Sequence, residues 1–286
     1  FTPPRCGVFF IDLWLSDPAG RIVHRHDHVR SLDDLKVPAR ARRLGESLAA
    51  RLRRREPNDE QPLVVWDVGL GAASNAMAAI HLVERELGTL GPTALRPLQL
   101  ISFERDLDSL ILAARNASRF PHLRHSAPHG LLKNGQWRDT SGRIDWRLLR
   151  GDFLDHLESA PAPNLVFYDP FSPKTDTVLW QAEIFARLHQ RCQPGPAELY
   201  TYASGTAVRV ALLVAGFHVA EGIGTGPKTT TTVAYSHRVS RTDAPDAPRL
   251  LGPEWLARWR RSSAKFPAGL DESQQAALVQ RVESHP

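Results

Sequence analysis

The sequence predicts an α/β fold built on a mostly parallel seven-stranded sheet that ends in an antiparallel hairpin, with an N-terminal β-hairpin and an Arg-rich helix ahead of it. Three observations carry this. From residue 62 onward, short apolar runs alternate with helical stretches, as in strands joined by covering helices. The first run, LVVWDV at 63–68, is continuously apolar and leads into Gly69-Leu70-Gly71. Near the end, Gly224-Thr225-Gly226 permits a tight reversal between FHVAEG and TTTTVAYS, so the last two strands can pair antiparallel.

Residues 8–15 and 20–24 flank the turn-rich Ser16-Asp17-Pro18-Ala19 and read as a hairpin. Residues 38–56 read as a helix with Leu44, Leu48 and Leu52 on its buried stripe and seven Arg between Arg40 and Arg55. After the first strand come a helix from Ser74 to Leu87, a strand at 98–104 and a helix from Leu107 to Ser118. Residues 121–142, punctuated by Pro, His and Gly, read as loop. A strand at 143–151, a short helix at 153–159 and a strand at 164–169 follow. The helix at 177–192 offers Leu179, Ile184, Leu188 and Cys192 for packing, and a strand at 197–203 and a helix at 206–216 precede the terminal hairpin. The tail is polar and partly helical, with Trp255 and Trp259 one turn apart. This organisation divides the chain into an extension (1–60), a central domain (61–240) and a helical tail (241–286).

Composition narrows the functional classes. Of 286 residues, 42% are hydrophobic and 23% charged, ordinary for a globular chain. Two cysteines, Cys6 and Cys192, make no disulfide framework and no C-x-x-C pair, so a reducing, cytoplasmic setting is expected. No window reaches the about 20 apolar residues of a membrane span, and no signal peptide is visible. His24, His26 and His28 share one face of a strand but lack companion ligands, so no metal is expected. Lys and Arg exceed Asp and Glu by 36 to 31, and 31 of those cations are Arg. Arginine-rich codon usage accounts for such a skew, and so does phosphate contact, for which Arg is the better bidentate ligand. Any RNA contact would fall to the flanks at 40–55 and 258–265, where Trp255 and Trp259 could also stack on bases.

The chemistry-bearing residues sit at strand ends, where open α/β sheets bind ligands. Asp67-Val68-Gly69-Leu70-Gly71 ends the first parallel strand, and its glycines let a backbone approach a ligand closely. Glu104 ends the second strand and is suited to accepting both hydroxyls of a ribose. Gly151-Asp152-Phe153 ends the third, with a carboxylate for an adenine amino group and an aromatic ring to cover the base. No G-K-S/T follows Gly71, which excludes a P-loop. A pocket of acids suits a sulfonium better than a pyrophosphate. The fourth strand ends in Tyr168-Asp169-Pro170-Phe171-Ser172-Pro173, an acid–Pro–aromatic loop like those that aim an oxygen at a target nitrogen and stack a ring on a base. Methyl transfer to an amine mainly requires positioning, with Asp169 as proton acceptor.

From about Leu63 to Ser236 the sequence resembles the methyltransferase domain of the MnmC-type tRNA-modification enzymes. The matching elements are Gly69, Gly71 and Asn75, the Ile101–Glu104 strand end, Asp169, Phe171, Pro173 and Trp180 of a D-x-F-x-P loop with its following Trp, and Val208-Arg209 through Ala215-Gly216-Phe217. The resemblance implies a Rossmann-like fold and S-adenosylmethionine as donor, held by Asp67, Gly69, Gly71, Asn75, Glu104, Asp152, Phe153 and Asp169. It implies a catalytic role for Asp169 and Phe171, and a substrate side formed by Pro170, Ser172 and Arg209. The acceptor it implies is the 5-aminomethyl group of a tRNA wobble uridine, installed by partner enzymes. The family often carries a flavin-dependent oxidase as well, and the 46 residues after 240 suggest a standalone methyltransferase. Departures from the family are Asp67 in place of Glu, Ala73 in place of a third glycine, Pro170 in place of Gly, and Gly224-Thr225-Gly226-Pro227-Lys228 in place of G-x-G-R-K. Three rival readings remain at this level: a same-fold methyltransferase acting on a small-molecule or protein amine, an aminopropyl transferase of the spermidine synthase type, and a non-catalytic RNA-binding relative.

Overall fold

A computed structural model describes residues 15–16, 22–24, 48–53, 60–173, 175–223, 230–239, 249–263, 265–267 and 270–285. The chain forms two compact units, Phe1–Phe153 and Leu154–Pro286.

In the first unit, β1 (Leu15–Ser16) pairs antiparallel with β2 (Ile22–His24), the described part of the expected hairpin. Helix α1 is described over residues 48–52, and Leu48 and Leu52 of its predicted stripe are buried. Leu44, most of the Arg run, His26 and His28 lie outside the described residues. The sheet is built from β3 (Leu63–Val68), β4 (Leu98–Glu104), β6 (Ile144–Arg150) and β5 (Gln136–Arg138), adjacent in that order. β3 and β4 are parallel from Leu63↔Leu98 to Val68↔Phe103, and β4 and β6 from Leu98↔Ile144 to Glu104↔Arg150. This register brings the ends of three strands level. Every residue of β3 is buried, which accounts for its apolar run, broken only by the carboxylate of Asp67. Helix α2 (Ser74–Leu90) buries Met77, Ile80, Leu82 and Val83, and α3 spans Asp108–Arg115. Each such large apolar side chain contributes about 1.5–3 kcal/mol on burial.

The expected loop at 121–142 is ordered instead. A 3₁₀ turn at Pro121–Arg124 leads into α4 (Ser126–Asn134), and the antiparallel edge strand β5 follows. Gly130 misleads as a breaker. A Cβ there would lie 2.8 Å from Trp137 Cδ1, so the glycine is what lets the helix pack on the strand. The His125 side chain accepts from Ala127 N at 3.1 Å and caps the helix.

Short helix α5 (Phe153–His156) leads into the second unit. That unit orders β7 (Leu165–Tyr168), β8 (Glu198–Thr201), β10 (Thr230–Tyr235), β9 (His218–Ile223) and β11 (Arg249–Leu250) side by side. β7 and β8 are parallel, and β10 is antiparallel to both neighbours, as the terminal hairpin required. The hairpin tip at 224–229 lies outside the described residues. All seven predicted strands are therefore present, with short β5 and β11 added as antiparallel partners of β6 and β9. The predicted helix at 177–192 divides. A 3₁₀ turn at Val178–Trp180 buries Leu179 and Trp180, Gln181 is extended, and α6 runs Ala182–Arg191. Helix α7 (Thr206–Val214) is largely buried. In the tail, α8 (Pro253–Arg260) and α9 (Glu272–Glu283) form. Among the described residues, no helix is long and apolar enough to cross a membrane.

Candidate active site

The level strand ends of the first unit gather the predicted glycines and acids. Gly69 (φ 86°) and Gly71 (φ 52°) adopt the left-handed backbone that glycine tolerates. Gly69 N donates to Phe103 O at 3.1 Å, and Gly71 N donates to Glu104 Oε2 at 3.1 Å. Glu104 Oε1 accepts from Arg105 N at 2.9 Å and Asp106 N at 3.2 Å. The carboxylate is thus fixed by backbone amides of its own loop and of the glycine loop. Burial pushes the Glu104 carboxyl above its usual range, against the opposing pull of the Asp106, Gly71 and Arg105 amides. Gly151 N donates to Glu104 O at 3.0 Å, which brings the third strand end alongside. Asp152 is partly exposed and lies 3.8 Å from Arg105 Nη1.

Two predicted donor contacts take other roles. Asp67 is 1% exposed and accepts from Ser102 Oγ at 2.9 Å, while that hydroxyl accepts from Trp146 Nε1 at 2.9 Å. Its carboxylate anchors the end of β3 from inside the sheet, so it shapes the loop rather than meeting a ligand. Phe153 does not offer its ring to a base. It is 4% exposed, edge-on to Phe103 (5.0 Å) and Trp66 (6.1 Å) in an aromatic cluster. Asn75 sits half-buried on the first turn of α2 beside Ser74. Ser74 Oγ is buried with no hydrogen-bond partner among the described residues. Open space meets a Cβ built at Gly71. An orphaned hydroxyl, an open glycine position and an anchored carboxylate together fit an adenosyl sulfonium.

In the second unit, Asp169 follows β7. Its Oδ1 accepts from Tyr202 N at 3.1 Å, and Tyr202 OH donates to Pro170 O at 3.4 Å. Trp180 Nε1 donates to Phe171 O at 2.8 Å. The loop Asp169–Ser172 is therefore held at both ends by aromatic side chains or their backbone. Burial, and after it the Asp169 charge, pushes the Tyr202 phenol well above its usual range, so it stays a donor. Pro170 is buried, while Phe171 and Ser172 are half-buried. Arg209 does not reach a substrate. It is 5% exposed, with Nη1 bonded to Glu221 Oε1 at 2.9 Å, Nε to Thr232 Oγ1 at 3.2 Å, and Nη2 to Thr230 Oγ1 and Thr231 O. Burial lowers its pKa, and Glu221 opposes this. Its role is to tie α7 to β9 and β10.

The flanking cations are also partly committed. Arg258 joins Glu221 at 3.2 Å, and Arg260 joins Glu283 at 2.8 Å. Trp255 and Trp259 are buried with rings parallel at 6.4 Å, so they pack the tail and have no faces for bases. Ser102, Trp146, Tyr202 and His122 were missed by the sequence reading. Only Ser102, a lone hydroxyl inside LQLISFE, left a visible signal.

Residues 118–237 match a family described as S-adenosyl-L-methionine-dependent methyltransferase. The tRNA 5-methylaminomethyl-2-thiouridine biosynthesis bifunctional protein MnmC of Stutzerimonas stutzeri is 29% identical over 212 residues, covering 71% of this chain and 31% of that protein. The protein of that name from Pseudomonas putida strain GB-1 is 32% identical over 147 residues, 51% of this chain and 22% of the relative. The chain thus spans about a third or less of the length of these relatives. Among solved structures, MNMC2 from Aquifex aeolicus superposes with a TM-score of 0.58 at 19% identity, covering 98% of this chain and 85% of that one, a likeness of fold. The chain is an S-adenosyl-L-methionine-dependent methyltransferase related to the MnmC proteins.

Proposed function

We propose that this methyltransferase, acting in the cytoplasm through its 61–240 region, methylates an amine, specifically the 5-aminomethyl group of a tRNA wobble uridine. The observation that carries the donor side is the Glu104 carboxylate, fixed at a strand end by Gly71 N and two further amides. The similarity to the tRNA 5-methylaminomethyl-2-thiouridine biosynthesis proteins supports tRNA as the acceptor. The donor, when bound, supplies an electrophilic methyl on sulfur. Glu104 would accept the ribose hydroxyls, Asp152 would accept from the adenine amine, and the Gly69–Gly71 backbone would admit the donor closely. Asp169 would accept a hydrogen bond from the target amine and take the proton that the nitrogen releases on methylation. Phe171 packs on the acceptor base, with Pro170 and Ser172 shaping the loop. Partner enzymes that install the aminomethyl group would supply the substrate.

The test is mass spectrometry of tRNA nucleosides from cells with and without the gene. Loss of the methylated wobble nucleoside, with build-up of its aminomethyl precursor, is expected. An unchanged profile would refute the acceptor while leaving donor binding, measured separately by calorimetry, untouched.

A further inference from the structure

The glycine loop is held from outside by a residue fifty positions away. His122, in the 3₁₀ turn Pro121–Arg124, places Nε2 2.9 Å from the carbonyl oxygen of Ala72. The next residue, Ala73, has φ 61° and ψ 26° and caps α2 in the left-handed region. It is the only non-glycine residue with positive φ among the described residues. For a residue bearing Cβ this conformation is disfavoured, because Cβ crowds the following carbonyl oxygen. Such strain persists where the surroundings over-determine it. Two restraints come from the loop and its helix: Ala73 N donates to Leu70 O at 2.8 Å, and Met77 N donates to Ala73 O at 2.9 Å. The third comes from His122, which reaches the Ala72–Ala73 peptide through its imidazole N–H. Burial lowers the His122 pKa, and the ring stands edge-on to Phe120 at 6.3 Å.

We propose that His122 is a positioning residue for donor binding, its N–H holding the Ala72–Ala73 peptide so that the strained loop keeps the shape that admits the donor. The inference rests on the assignment of the Gly69–Ala73 loop to the donor. A loop fixed before binding gives up less freedom when the ligand arrives, so losing the restraint weakens affinity without removing a direct contact.

The experiment measures S-adenosylmethionine affinity of the whole chain by calorimetry, with melting temperature alongside. His122→Leu, which fills the space without a donor, is expected to bind about tenfold more weakly, equivalent to about 1.4 kcal/mol. His122→Gln, whose amide can donate to Ala72 O, is expected to stay within about twofold of the parent. Adding Ala73→Gly to His122→Leu removes the strain and is expected to recover part of the lost affinity. Should His122→Leu fail to fold, His122→Asn, too short to reach, must show the same loss. Parent-like affinity in a folded donor-less variant overturns the proposal, as does equal loss in His122→Gln. Glu104→Ala separates the two levels. If it too binds like the parent, the loop assignment has failed; if it alone weakens, the role of His122 has failed.

Discussion

Replacing Glu104 by Ala probes the donor site at the point where its geometry is most defined. In the proposed complex the carboxylate accepts two ribose hydroxyls, and hydrogen bonds to a charged group contribute about 1.5–3 kcal/mol each. Glu104 also accepts from the Gly71, Arg105 and Asp106 amides, so its removal loosens the loop while water fills the vacated space. Setting that solvation against the lost bonds leaves about 2–4 kcal/mol, or roughly 30- to 700-fold in Kd. Glu104→Gln keeps one acceptor oxygen and should lose about tenfold. Calorimetric titration with S-adenosylmethionine reads both. The sign with pH is also fixed. Because burial raises the Glu104 carboxyl above 4.5, donor affinity falls as pH drops through that raised value, where the acceptor becomes a neutral acid. The folding contribution of this group runs the other way: the folded state holds its proton more tightly, so that contribution is full below 4.5 and lost as pH rises through the raised value. A folded Glu104→Ala protein with parental affinity would refute the ribose assignment.

Arg209→Ala is expected to destabilise the second unit by about 1.5–3 kcal/mol, because it removes a charge-assisted hydrogen bond from Glu221, which keeps Arg258 as a partner; an acceptor KM effect at unchanged urea midpoint would restore a substrate role. Ser102→Ala leaves the buried Asp67 carboxylate without that donor and Trp146 Nε1 without its acceptor, a loss of about 2–4 kcal/mol that chemical denaturation should read as a lower midpoint at constant slope. Burial alone would raise the Glu84 carboxyl, yet the hydrogen bonds and charges of His125 and His81 outweigh it and hold the carboxyl at about 2. Its stabilising contribution is thus present above 4.5 and lost as pH falls towards 2, and Glu84→Gln should flatten stability against pH in that window.

Regular structure was legible wherever local pattern and tertiary demand agreed. LVVWDV and LQLISFE read as strands because β3 is buried throughout and β4 nearly so, and no other element gives such runs a place. The reading failed where one residue satisfied a packing need that looks like a break. Gly130 and Pro128 suggest loop, yet α4 needs the glycine under Trp137 and buries the proline in its first turn. Gln181 carries no turn signal, yet it interrupts the helix so that Leu179 and Trp180 can turn inward. Long-range polar pairing is similarly invisible: nothing in the letters joins Ser102 to Asp67 or His122 to Ala72.

The site residues divide along the same line. Gly69, Gly71 and Glu104 are legible as candidates because left-handed backbone and a strand-end acid are local properties with sequence signatures. Asp67, Phe153 and Arg209 are expected at a ligand, and the structure gives each an internal partner instead. A carboxylate, a ring and a guanidinium each have both a binding use and a packing use, and only burial decides between them. Arg209 makes the point most directly. An arginine on an apolar helix invites a substrate contact, but here Glu221 and the Thr230–Thr232 strand use its donors. The same reasoning narrows the excess positive charge. Arg258 answers Glu221 of β9 and Arg260 answers Glu283 of the tail, so charge reversals there would disturb internal pairing along with any RNA contact. An RNA-contact test must therefore use cations that pair with neither Glu221 nor Glu283, with salt dependence of tRNA affinity as its readout.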